Sequence, residues 1–173
     1  MNGLILIIGF PVVFLIHELE EIIYQREWML DHYEELEERF PKAKPIIEYL
    51  LKLNTKAFAL AAFEEFVIIF LTSSPEKEII PYGGYIWPAV FMAFSLHLFV
   101  HVILGIVIRG YVPGLVTSIL FIPGACWGIN NFCLIGGSYS TLAIYTISGV
   151  VFMLLNLLFA HWIGRMVFGD CQD

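Results

Sequence analysis

The sequence predicts an all-α fold: a polytopic bundle of about five transmembrane helices with one amphipathic cytoplasmic segment. Two observations carry that prediction. Hydrophobic residues make up 59% of the 173-residue chain against 14% charged, for a mean hydropathy of +0.80, far from soluble usage. The apolar residues also collect in stretches close to the ~20 residues that a bilayer crossing requires. A third observation points to function: imidazole and carboxyl groups interrupt those stretches deep inside them, where ionisable side chains mark functional sites.

The first stretch, residues 3–24, is almost unbroken until His17-Glu18-Leu19-Glu20-Glu21. It has no basic start and no small-residue cleavage site after its apolar run, so it is expected to remain in the mature protein instead of being removed as a signal peptide. Residues 25–56 form the one sizeable polar region. Within it 31–39 is helix-like, Pro41 and Pro45 break the pattern, and 46–53 resumes an amphipathic one, so the segment is expected to lie along the cytoplasmic surface. The second span, 57–71, contains Glu64 and Glu65, and the third, 84–108, contains His97 and His101. The fourth, 111–134, carries Pro113, Pro123 and several glycines that predict a kink or a re-entrant course, and the fifth is 138–167. With no internal repeat and no low-complexity linker, residues 1–173 read as a single membrane-embedded domain.

Lys and Arg retained in loops usually face the cytoplasm. Arg26, Arg39, Lys42, Lys44, Lys52, Lys56, Arg109 and Arg165 fall on one side of a five-span bundle and Lys77 alone on the other. The expectation is an N-terminus outside, a C-terminus inside, and, in a prokaryote, a plasma-membrane location. A formal net charge of −7 concentrated in one acidic stretch argues against nucleic acid as a partner and leaves the lipid bilayer itself. Cys126, Cys133 and Cys171 lack CxxC spacing and read as small hydrophobes with no metal or redox role.

Depth brings the polar residues of different spans to one level. At ~1.5 Å per residue His17 lies roughly 21 Å from the outer end of its span, and His97 and His101 roughly 18 and 24 Å from theirs. Glu64, entering from the inside, sits roughly 12 Å from the inner face of a core ~30 Å thick. By helical phase His17, Glu20 and Glu21 share one edge and His97 and His101 another, while adjacent Glu64 and Glu65 cannot point the same way. Four ionised glutamates at such depth cost on the order of 10 kcal/mol at ~2.5–3.5 kcal/mol each, a cost that divalent cations or protons remove. The expected metal ligands are therefore His17, Glu20, Glu21, Glu64, His97 and His101. Glu18, Glu65 and Tyr111 are the expected catalytic groups, and the cofactor is a transition metal, two ions by count, iron favoured over zinc or manganese.

These same residues carry a family resemblance. His17-Glu18-Leu19-Glu20-Glu21 matches the His-x-x-Glu-Glu pattern of the HXXEE-domain membrane proteins, and Tyr111-Val112-Pro113-Gly114 matches that family's Tyr-x-Pro-Gly motif, with His97 or His101 as its additional histidine. The resemblance runs from the first span into the fourth and implies a fold type and a set of important positions, with no established reaction.

Three function classes follow. The first is a membrane oxidoreductase whose metal, held by His and Glu, activates dioxygen against a lipid-soluble substrate entering between helices. The second is an intramembrane zinc hydrolase with His17 and Glu21 on the metal and Glu18 as general base, a variant of His-Glu-x-x-His. The third is a proton-coupled transporter or metal carrier. Blander readings stand beside them: Glu18, Glu20 and Glu21 at the start of a solvated helix, Glu64 and Glu65 as protonated, hydrogen-bonded carboxyls, and the histidines as packing residues. His161 near the inner end of the last span reads as an ordinary interfacial histidine, and His32 in the polar segment as a solvated one. Asn156 reaches the level of the site as a supporting residue, and Tyr111 to Gly114 reads chiefly as a tight turn.

Overall fold

The computed structural model describes residues 2–73, 83–134 and 138–169; the expected outer segment 74–82, with Lys77, and also Cys171, lie outside the described residues. The described chain is helical throughout: α1 (Asn2–Arg39), a 3-10 turn (Pro41–Ala43), α2 (Lys44–Lys52), α3 (Thr55–Thr72), α4 (Gly83–Ile108), α5 (Leu115–Leu134) and α6 (Tyr139–Phe168). Three segments, Tyr85–Ile108, Leu115–Phe132 and Tyr139–Phe168, are long and apolar enough to cross a membrane. The acidic residues of α1 and α3 set those two helices apart from the three.

Helix α1 is a single element of 38 residues, about 57 Å at ~1.5 Å per residue and nearly twice a ~30 Å hydrocarbon core. The sequence reading divides this stretch after residue 24; the structure continues it to Arg39. The reason is local: residues 25–39 contain no Gly or Pro and are rich in Glu, Leu, Met, Gln and Arg, good helix formers, and only Pro41 stops them. Beyond the apolar half, Met29 and Leu36 of α1 bury themselves with Ile47 of α2. The same extension holds the α4–α5 connection. Trp28 Nε1 donates to the Tyr111 carbonyl at 2.8 Å, and the Arg39 guanidinium donates to the carbonyls of Val107 (2.6 Å) and Ile108 (3.0 Å). A cation on the last carbonyls of α4 satisfies acceptors that the helix leaves open and complements its dipole.

Aromatic side chains set the spacing of α1 and α4. Phe10 packs edge-on to Phe91 at 5.4 Å and to Trp87 at 5.8 Å, and Phe14 meets Phe94 at 5.5 Å. One turn further on, the seam changes from phenyl to imidazole: His17 lies edge-on to Phe94 at 5.4 Å and to His97 at 5.1 Å. Other pairs approach through small residues, as helices in lipid commonly do. Gly149 of α6 lies on the backbone of Ala89 in α4, and Gly164 lies on Ala57 of α3. The outward face of α6 is apolar, with Ile144, Ile147, Leu155 and Leu158 all exposed.

Replacing Gly149 by Ala drives its Cβ into the Ala89 carbonyl, and overpacking of this kind costs about 1–3 kcal/mol. Gly124, around which an added Cβ meets nothing within 4 Å, is the matched control. Melting curves in detergent are expected to show a lowered transition for Gly149→Ala and little change for Gly124→Ala; equal transitions contradict this packing.

Candidate metal centre

The connection between α4 and α5 is the foundation of the site. Arg109 and Gly114 both have left-handed backbone conformations, φ 62° and 82°, and Gly114 is packed so closely that an added Cβ would lie 2.8 Å from the His101 ring and 2.9 Å from Glu21 Oε1. Glycine is required here on both counts. The turn brings the first amides of α5 onto Glu20. Its carboxylate accepts from Val116 N (3.2 Å), Thr117 N (2.8 Å), Thr117 Oγ1 (2.6 Å) and the Tyr111 hydroxyl (3.0 Å). A buried anion at a helix N-terminus is stabilised both by the open N–H groups and by the helix dipole.

Thr117 transmits this arrangement to the histidine. Its hydroxyl proton is committed to Glu20, so at 2.8 Å it accepts from His17 Nδ1. With the proton on Nδ1, the Nε2 of His17 carries a lone pair, the pattern by which ligating histidines are oriented. That Nε2 is buried and has no hydrogen-bond partner among the described residues.

All three imidazoles point at one place. Glu21 Oε1 lies 3.1 Å from His17 Nε2, 3.1 Å from His97 Nε2 and 2.7 Å from His101 Nε2, and the four candidate donor atoms fall within 4.8 Å of one another. His97 and His101 stand one turn apart on α4 with their Nε2 atoms 3.0 Å from each other. Two ring nitrogens this close, a third from α1 and one carboxylate oxygen do not satisfy one another by hydrogen bonds alone, whereas a cation among them satisfies all four lone pairs. The donor set of three imidazoles and a carboxylate suits a first-row transition metal.

Of the residues expected to ligate metal, the structure brings together His17, Glu21, His97 and His101. Glu20 lies apart, on the amino end of α5, because adjacent residues on a helix diverge by ~100°: Glu21 faces α4 while Glu20 faces α5. Glu64 lies apart as well, held by the side-chain amide of Asn156 on α6. Glu18 and Glu65 are buried and line a cavity of about 320 Å³ that Glu21 and His97 also border. Tyr111 contacts Glu20 and not the histidines. His161 is buried and not interfacial, its Nδ1 2.6 Å from the Tyr49 hydroxyl, and His32 is not simply solvated but stacks on Trp28 at 4.5 Å. Thr117 escapes sequence reasoning; the available signal is its position three residues after the glycine of Tyr-x-Pro-Gly, where a helix begins.

A family model described as a protein of unknown function with HXXEE motif matches residues 8–128, more than half of the chain, and the chain belongs to that family. No curated protein and no solved structure matches.

Thr117→Val removes the link between Glu20 and His17 while keeping volume, and leaves a buried carboxylate and a buried N–H short of a partner. The expected loss is about 1–3 kcal/mol of stability, with Thr117→Ser restoring most of it. Melting temperatures check this; Val behaving like Thr contradicts the linkage.

Proposed function

We propose that this member of the HXXEE family is an integral-membrane oxidoreductase that holds a transition-metal ion on His17, Glu21, His97 and His101 and acts on a lipid-soluble substrate. The observation that carries the reading is the convergence of three Nε2 atoms within 3.1 Å of one Glu21 oxygen. Four protein donors already fill the usual shell of zinc, whose catalytic sites keep three and a water. Iron and manganese in octahedral surroundings accept two more ligands beside the same four, which favours redox chemistry over hydrolysis and iron over zinc. When bound, such an ion supplies one-electron chemistry and open positions for a small oxidant.

The chain's own residues supply the rest. Thr117 and Glu20 keep His17 in its Nδ1–H tautomer, and Tyr111 acts as a positioning residue by fixing Glu20. Glu18 and Glu65, on the wall of the cavity, are placed to give or take protons beside the metal. Phe14, Phe58 and Phe94 close the same wall against water. The count of two ions drawn from the sequence becomes one in this assignment, because Glu20 and Glu64 are engaged elsewhere. The zinc hydrolase reading keeps one observation in its favour: Glu18, beside the ligand His17, lines the substrate cavity as a general base would.

Elemental analysis of natively purified protein is expected to find about one iron or manganese per chain by the donor count, and Ala at His17, Glu21, His97 or His101 to lower it at least tenfold. Zinc as the resident metal turns the assignment to hydrolysis; absence of metal, before and after reconstitution, overturns the metalloenzyme.

The five-span topology belongs to the same proposal: the first half of α1 and helix α3 cross beside the three apolar helices, with the N-terminus outside and the C-terminus inside. Arg39 and Arg109 gathering at the end of α4 supports it. Single cysteines at Glu38 and Tyr139, in a background lacking the native three, are expected to label from opposite faces. Labelling from one face contradicts this topology.

A further inference from the structure

The cavity beside the cluster has a mouth, a shaft and an end of different chemistry. Its long walls are Leu96 and Val100 on α4 and Leu154 and Leu157 on α6. Leu96 and Leu154 are 43% and 55% exposed on the outer, apolar surface of the bundle, so the opening faces sideways, where lipid lies, and not toward an aqueous end. The volume of about 320 Å³ sits at the lower end of small-molecule pockets, roughly 300–1,000 Å³, and suits one hydrocarbon chain better than a two-chain lipid.

The inner end is acidic. Glu18, Glu21 and Glu65 border it together with His97, and neither Lys nor Arg is among its lining residues. Glu18 is 7% exposed, and it lies on the cavity wall. A polar group at the closed end of an apolar cavity is stabilised by a ligand group that hydrogen-bonds to it. Glu65 enters from α3, so the end is formed by three helices, α1, α3 and α4.

We infer that this cavity is the binding site for a single-chain, long-alkyl molecule with a non-anionic, hydrogen-bond-donating head, best represented by a long-chain primary alcohol, whose hydroxyl donates to Glu18. The proposal deepens the oxidoreductase reading by naming its substrate class, and rests on that reading only for the role of the neighbouring metal. No Lys or Arg lines the cavity to pair a carboxylate or phosphate head, and the charge of the proposed ion is already shared with Glu21, whereas a hydroxyl finds acceptors in Glu18 and Glu65, so the site favours an alcohol over fatty acids and lipid phosphates.

The test uses the full chain in lipid nanodiscs with two probes, dodecan-1-ol and dodecanoate, and reads bound ligand by native mass spectrometry beside metal content on the same samples. Dodecan-1-ol is expected to bind at one saturable site, with affinity at least roughly tenfold above that of dodecanoate. Leu154→Trp, at the mouth, is expected to abolish binding with metal content kept. Glu18→Gln and Glu65→Gln, each checked for an unchanged melting temperature, are expected to narrow the preference severalfold. Equal binding of the two probes, tighter binding of dodecanoate, or saturable binding that survives Leu154→Trp overturns the proposal. Failure of the unsubstituted, metal-holding protein to bind dodecan-1-ol saturably sinks the substrate assignment alone, and binding by a protein that holds no metal sinks the oxidoreductase alone.

Discussion

The organisation of this protein depends on one buried carboxylate at the start of a helix. Glu20 stands on α1, yet among the described residues all of its side-chain hydrogen bonds go to the turn and first residues of α5: two backbone amides, the Thr117 hydroxyl and the Tyr111 hydroxyl. In an apolar setting those amides otherwise remain open and the charge otherwise unpaired, so each makes the other tolerable. The connection also fixes rotation. Once Glu20 faces α5, Glu21 is turned ~100° further round, toward the histidines of α4, and His17 is placed between the two with Nδ1 toward Thr117 and Nε2 toward Glu21.

Packing around this bond serves the same geometry. The aromatic seam of Phe10, Phe14, Phe91 and Phe94 holds α1 and α4 far enough apart for facing imidazoles to fit where the phenyl rings end. Close approach is needed at one point, under the ring of His101, and there the chain has Gly114. The second half of α1 reaches back through Trp28 and Arg39 to brace the α4–α5 turn from the other side. Both motifs singled out in the sequence are thereby parts of one unit: His17-x-x-Glu20-Glu21 supplies two of the donors and the anchor, and Tyr111-x-Pro113-Gly114 supplies the turn against which they are set.

The class of the fold and the donor types were legible because they rest on short-range chemistry: apolar stretches near span length, and ionisable residues inside them. The partition of the glutamates was not. Glu20 and Glu21 are chemically identical neighbours, and only the position of α5 decides which becomes an anchor and which joins the imidazoles. Glu64 was likewise indistinguishable from Glu65 until the fold buried Glu65 on the cavity wall and left Glu64 outside that lining. The continuity of α1 through residues 25–39 was available in its composition, but the polar character of the stretch drew attention away from its helix propensity. Thr117, a common residue at a helix start, acquires its role only from what two other segments place on either side of its hydroxyl.

X-ray absorption at the metal edge, on protein purified with its native metal, tests the central claim most directly. Three imidazoles are predicted in the coordination shell at ~2.0–2.2 Å with one carboxylate oxygen among the lighter scatterers, and removal of His17, His97 or His101 by Ala in metal-reconstituted protein is predicted to lower the imidazole count to two. A shell of oxygen donors alone, or an imidazole count unchanged by all three substitutions, contradicts the account.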